Sequence, residues 1–286
     1  MTNMQTPSNK PRVALIGFGE AGEGFASAGG WRGHARGWDI LPERRVAMQA
    51  LGIDTGADPA AALAGAGIAI SLVTADAALE AARTYAPLLP AGALWCDMNS
   101  VAPATKRAAA DAVEAAGGRY IDVAVMAPVE RTLAVPLLLA GEHAEPAREL
   151  LEALGFSRVR VVGEDIGRAS AIKMIRSIMV KGIEALSHEC AAAAEAAGVF
   201  DEVTASLDFS DKPIGWAQRI AYNRERMDRH GLRRAAEMEE AAATLESLGV
   251  EPVMTRGTVE LQRRAGLAGS DQGRTRPVEQ ERNPAQ

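Results

Sequence analysis

Lys173 is one of five lysines in the chain, with Lys10, Lys106, Lys181 and Lys212 the others, although Lys and Arg together number 31. It lies in Gly167–Gly182, which reads GRASAIKMIRSIMVKG. At about 100° per residue, Ser170, Lys173, Ser177, Lys181, Glu184 and His188 fall on one narrow helical seam. Ile172, Ile175, Met179, Ile183, Leu186 and Cys190 lie opposite, and Met174, Ile178 and Val180 flank the seam. A solvated helix face is broad and freely charged, whereas this polar strip is bordered by apolar side chains. A lysine in partly apolar surroundings has its ammonium form disfavoured, which opens proton transfer near neutral pH. The competing reading is a surface helix whose Lys and Glu are solvated.

A second group of residues has a different chemistry. Gly17-Phe18-Gly19-Glu20-Ala21-Gly22 has the G-x-G-x-x-G spacing, directly after the apolar run Arg12–Ile16. The first glycine permits a tight turn, the second lets the backbone approach a pyrophosphate, and the third allows close helix–strand packing. The helix that follows offers N–H groups and a favourable dipole to an anion. About 20 residues on, Trp38-Asp39 closes the next strand, the context that turns a common hexapeptide into a dinucleotide fingerprint. Asp39 is expected to accept hydrogen bonds from the ribose hydroxyls and to repel a 2′-phosphate, favouring NAD over NADP. Its alternative role is a helix N-cap before Pro42-Glu43. Arg44 and Arg45 leave NADP open, since a nearby arginine accommodates the extra phosphate. Val73 and Thr74, at the end of the apolar run Ile68–Val73, are counted with the cofactor-binding residues.

These residues need a scaffold. Apolar runs recur at Ile68–Val73, Ala93–Asp97, Tyr120–Val125, Pro136–Ala140 and Val159–Val162, with helical stretches at Asp76–Ala86, Pro103–Ala116 and Glu145–Leu154 between them. Such alternation implies crossover units and a mostly parallel sheet. It stops near Gly163. From Ile166 the patterns are helical: a long helix to Ala197, then Pro213–Arg229, Leu232–Leu248 and Pro252–Ala265. The expected organisation is an α/β Rossmann domain over 11–165 and an all-α C-terminal domain over 166–267. Residues 1–10 and 268–286 have little to bury and are expected to be disordered.

Composition narrows the function classes. The 286 residues are 48% hydrophobic and 24% charged, values of a globular protein. A net charge of −6 argues against nucleic acid as a partner, because phosphate neutralisation needs a basic surface. Two cysteines and four histidines, all scattered, argue against a metal site. No secretory signal and no apolar span of membrane length is present, so a cytoplasmic setting is expected.

The chain resembles the β-hydroxyacid dehydrogenases, which include 3-hydroxyisobutyrate and 6-phosphogluconate dehydrogenases. Three segments carry the resemblance: the glycine fingerprint, Asp97-Met98-Asn99-Ser100-Val101-Ala102-Pro103, and Gly167–Ser177. The second is similar to the family's D-x-S-[ST]-x-x-P beside the nicotinamide, which implicates Asn99 and Ser100. The third is similar to G-x-G-x-x-x-K-x-x-N-N and puts Lys173 at the lysine that exchanges a proton with the substrate hydroxyl. The family's substrate loop, D-x-P-V-S-G-G, stands here as Asp122-Val123-Ala124-Val125-Met126-Ala127-Pro128. Its serine and glycines are replaced by Met126, Ala127 and Pro128, and the paired asparagines after the lysine by Arg176 and Ser177. These variants, with Arg233–Glu240, resemble a subfamily whose helical domain has no assigned function.

The resemblance implies an NAD(P)-dependent oxidoreductase acting on a β-hydroxy acid or related alcohol, as a homodimer or higher homo-oligomer. Lys173 is the expected acid/base, with Ser177 one turn on to bond the lysine or the substrate. Val125, Met126 and Ala127 are expected at the substrate. Lys181 is expected to bind its carboxylate or to tune Lys173 by like-charge repulsion, and the plainer reading, an ion pair with Glu184, is compatible with this. Loss of the serine–glycine loop predicts a larger or less acidic substrate. Two alternatives stay open. One is imine or carbonyl reduction on the same scaffold, against which Lys173 counts because imine-reducing relatives generally lack it. The other is a non-catalytic NAD(P)-binding sensor, for which the altered loop speaks.

Overall fold

The strands β1 (Val13–Ile16), β3 (Ile68–Ser71) and β4 (Leu94–Asp97) are buried at every position. Such strands need cover on both faces, because successive side chains point to opposite sides of a sheet. The structure, a computed structural model, describes residues 12–210 and 213–274. Val13, Leu15, Ile68 and Ile70 join one core with Phe25 of α1 (Glu20–Gly29) and Leu151 of α6 (Ala144–Ala153). Ala14, Ile16, Ala69 and Trp95 join a second core with Ala82 of α4 (Ala78–Tyr85) and Val113 of α5 (Pro103–Ala115). The one-residue alternation therefore separates two helical layers.

The remaining strands are β2 (Ala35–Trp38), β5 (Arg119–Val125), β6 (Leu137–Ala140) and β7 (Val159–Gly163). One sheet runs β2-β1-β3-β4-β5-β6-β7, and every neighbouring pair is parallel except β5 and β6. From β2 the chain returns past β1 to β3 through α2 (Pro42–Ala50) and α3 (Pro59–Leu63). The crevice beyond the carboxyl ends of β1 and β3 is thus the topological switch point.

A helical half follows the sheet, as the sequence pattern requires. The chain divides into two compact units within α7 (Arg168–Ala197), between Ser177 and Ile178 rather than at 165/166. The first turns of α7 belong to the sheet unit: Ala169 and Ser170 are buried, and Asp122 of β5 accepts from the Gly167 and Ser170 N–H groups. An extra helix, α8 (Phe200–Ser210), follows α7. Two expected helices are one, α9 (Trp216–Ser247), running straight through Gly231. A Cβ at Gly231 would collide with the Gln262 carbonyl oxygen, and one at Gly266 with the Leu232 nitrogen. The glycines let α9 meet α10 (Val253–Arg274) backbone to backbone instead of ending a helix. α10 extends to Arg274, so the structure draws residues 268–274, counted with the tail in the sequence, as helix. The disorder expected for 1–10 and 275–286 lies outside the described residues.

Within the helical unit, the buried Glu189 of α7 accepts from Met254 N (2.7 Å), Thr255 N (2.8 Å) and Thr255 Oγ1 (2.6 Å). Burial opposes its ionisation, but the hydrogen bonds from Thr255 and Met254 outweigh it and hold the carboxyl below its usual range. Among the described residues no helix is long and apolar enough to cross a membrane.

Candidate active site

The turn after β1 is built on Gly17, at φ +85°, where a Cβ would lie 2.7 Å from the Leu72 carbonyl oxygen. Gly22 packs back on this turn, its added Cβ falling 3.0 Å from the Gly17 carbonyl oxygen. Gly19 caps α1 without a side chain, and a Cβ there would meet nothing within 4 Å. The loop is therefore closed against the sheet at its first and third glycines and open at the second. That opening faces a cleft of about 600 Å³ lined by Gly17, Phe18, Gly19, Glu20, Ala21, Asp39, Val73 and Thr74. All but Gly22 of the residues expected around the fingerprint and β3 thus line this cleft.

Asp39 is held at the cleft by two backbone donors. Phe18 N donates to Oδ2 at 2.7 Å and Leu41 N to Oδ1 at 2.9 Å. The first bond ties the glycine loop to the end of β2, and the second turns the chain into α2, whose N-cap residue is Leu41. Asp39 is therefore not the cap of α2, and its carboxylate holds the glycine loop and the turn into α2 at the cleft. The two arginines differ. Arg45 lies over the Trp38 ring at 4.7 Å and donates to the Asp39 and Ile40 carbonyls. Arg44 lines the cleft with Glu23 4.0 Å from its guanidinium. The cleft is also lined by Ala77, Ala81 and Tyr85, missed in the sequence. Their i, i+4 spacing of small residues ending in an aromatic was the available signal.

At the next strand end, Asn99 is buried, its N–H donating to Asp97 Oδ1 (2.9 Å) and its Nδ2 to Ser71 Oγ (3.0 Å). Among the described residues its buried Oδ1 has no hydrogen-bond partner. Lys173 Nζ donates to Ser100 Oγ at 2.6 Å, joining residues 73 apart in sequence. Asn99, Ser100 and Lys173 are therefore brought together beside the end of β3.

Other expectations fare differently. The Ser177 hydroxyl donates to the Lys173 carbonyl oxygen (2.9 Å), so its proton is spent within the helix. Val125 belongs to the main core, while its neighbour Met126 packs on the other face with Ala124, Leu138 and Ala169. Pleat alternation makes Val125 a core residue and leaves only Met126, half-buried, and Ala127, exposed, available to a ligand. Lys181 is exposed and lies in the helical unit, beyond the division at Ser177. The Glu184 side chain lies outside the described set.

The NAD binding domain of 6-phosphogluconate dehydrogenase matches residues 12–163, more than half of the chain. The chain belongs to this family. A domain of unknown function, DUF1932, matches residues 194–265 of the helical half. A conserved hypothetical protein from Sinorhizobium meliloti 1021 is 36% identical over 96% of this chain and 94% of that one, with a TM-score of 0.60. An imine reductase from Myxococcus stipitatus, solved with NADP+, shares the fold: TM-score 0.75, 21% identity, 91% of this chain and 95% of that one. An uncharacterized 28.5 kDa protein of Methanothermus fervidus is 28% identical over 141 residues, a match spanning 49% of this chain and 53% of that relative. The family match makes the sheet half an NAD(P)-binding domain.

The residues present fit the dinucleotide of this family. The open face at Gly19 leaves room for a pyrophosphate against the first N–H groups of α1, in the same cleft that Asp39 lines. Near Ser100, the partnerless Asn99 Oδ1 is an acceptor suited to a carboxamide N–H.

Proposed function

We propose that the protein oxidises a β-hydroxy acid or related alcohol, or runs the reverse reduction, with Lys173 as general acid/base. The observation that carries this reading is the 2.6 Å contact between Lys173 Nζ and Ser100 Oγ. It sets the amine next to the segment expected to face the nicotinamide. When bound, the cofactor supplies the hydride acceptor or donor. The Lys173 amine takes the hydroxyl proton as the adjacent C–H gives up its hydride, and returns it in the reverse direction. Ser100 fixes the place of Nζ, and Asn99 orients the carboxamide through Oδ1.

NAD is the proposed preference, supported by the Asp39 carboxylate at the cleft wall, which opposes a 2′-phosphate. Met126 and Ala127, in place of hydrogen-bonding residues, support a larger or less acidic substrate. The proposed working form is a homodimer or higher homo-oligomer. The imine reductase relatives motivate adding imines to any substrate screen. Amine formation with no alcohol oxidation would replace the hydroxy-acid reading.

Lys173→Ala is expected to lower turnover by about 10²–10⁴-fold and to leave NAD⁺ binding, followed by titration, within about twofold of wild type. Wild-type-like turnover in this variant would remove the lysine from the mechanism.

A further inference from the structure

Lys106, on α5, is fully buried, and nothing in the proposed reaction uses it. Its Nζ donates to the Asp97 carbonyl oxygen at 2.6 Å and to Asp97 Oδ1 at 3.0 Å, and stands 3.5 Å from Asp122 Oδ1. Asp97 and Asp122 are directly paired neighbours on β4 and β5. Two buried carboxylates are therefore placed side by side with one ammonium between them. Tyr120 donates its hydroxyl to Asp97 Oδ2 at 2.6 Å. Burial first, and then Asp97, push the Tyr120 phenol well above its usual pKa, so it stays a neutral donor. Buried charges are a poor route to stability, since apolar side chains of similar volume often do as well or better.

The two carboxylates lead in different directions. Asp97 Oδ1 accepts from Asn99 N, which fixes the segment that carries Ser100. Asp122 Oδ2 accepts from Gly167 N (3.1 Å) and Ser170 N (3.0 Å), N–H groups at the start of α7, where the helix dipole favours an anion. Gly167, at φ +100°, lets this start approach α5 closely: a Cβ there would lie 2.7 Å from an Arg107 guanidinium nitrogen and 3.0 Å from Pro103 Cβ. Lys173 is three residues beyond Ser170. The ammonium of Lys106 thus clamps the anchor of the Ser100 segment to the anchor of the lysine helix.

We propose that Asp122, held by Lys106 against Asp97, is a positioning residue that sets Lys173 Nζ against Ser100 Oγ. Its importance to catalysis rests on the proton-transfer reading of Lys173, but the positioning itself is read without turnover. Asp122→Asn keeps the size of the side chain. Its amide nitrogen is a donor, so with its oxygen kept on the α7 N–H groups it would face the Lys106 ammonium with N–H in place of the carboxylate oxygen of the ion pair.

The test is competitive acetylation of the cofactor-free protein across a pH series, with Lys173 and Lys181 quantified by mass spectrometry. Lys181, in the other unit, is the internal reference. In Asp122→Asn the Lys173 rate relative to Lys181 is expected to change by roughly threefold or more, with a shifted pH midpoint. The NAD⁺ dissociation constant should stay within about twofold, which a general loss of structure would not permit. If Asp122→Asn fails to fold, the charge-balanced pair Asp122→Asn/Lys106→Met is measured with the same expectation. A folded variant with an unchanged Lys173 profile overturns the positioning proposal, whatever its turnover. A changed profile alongside an active Lys173→Ala enzyme sustains the positioning and discards the proton-transfer role.

Discussion

A methyl group added at Gly17 would lie 2.7 Å from the Leu72 carbonyl oxygen, on a backbone at φ +85°. At Gly19, with φ −75°, the same methyl meets nothing within 4 Å. Gly17→Ala is expected to lose roughly 1–3 kcal/mol from its backbone conformation alone. Gly19→Ala should remain within about 0.5 kcal/mol of wild type and yet bind NAD⁺ roughly tenfold more weakly, because the methyl enters the phosphate approach. Thermal unfolding and cofactor titration separate the two, and equal stability losses would contradict the assignment of Gly19 to the cofactor face. The residue types of this turn were readable because each glycine has a local cause. Lys106 was not: on an alanine-rich helix it looks like any solvated lysine. Its signal was indirect, in Asp97 and Asp122, two acids within otherwise buried strand segments that need a counter-charge. The Ser177 hydroxyl bonds the i−4 carbonyl, a contact that leaves no trace in the sequence.

The start of α10 depends on a single acid four turns from Lys173 along α7. Glu189 accepts three hydrogen bonds from Met254 and Thr255, and its carboxyl is held below the usual value of 4.5. A depressed folded-state pKa contributes stability that is present above the unfolded value and is lost as the pH falls through the folded one. Glu189→Gln should therefore cost roughly 1.5–3 kcal/mol at neutral pH. The gap to wild type should narrow as the pH falls below the usual carboxylate range. Melting curves of both proteins across that range check it, and a gap independent of pH would show that the charge of Glu189 is irrelevant. Element types followed from periodicity almost throughout, whereas element ends did not. Gly231 reads as a helix break, but the missing side chain is a contact surface for α10, a tertiary fact with no local signature.

Over the whole molecule, the helical unit leaves large apolar side chains in water. Ile178 is 74% exposed and Phe209 93%, with Ile183, Leu186 and Leu207 also exposed. Apolar surface of this kind marks association sites in soluble proteins. Light scattering should give a mass of at least twice the 30.0 kDa chain, and Ile183→Asp with Phe209→Asp should shift it toward one chain. A wild-type monomer at micromolar concentration would end the oligomer proposal. The division into a sheet half and a helical half was legible from the point where strand patterns stop. The division of contacts inside α7 was not, because a continuous helix carries no punctuation where its neighbours change. One detail of the cleft has a practical side. Trp38, half-buried on the cleft wall beneath the Arg45 guanidinium, is an emitter whose brightness depends on the charge and water around its indole. The protein thus carries its own optical reporter where the dinucleotide is expected, and occupancy of that cleft can be watched before any substrate is in hand.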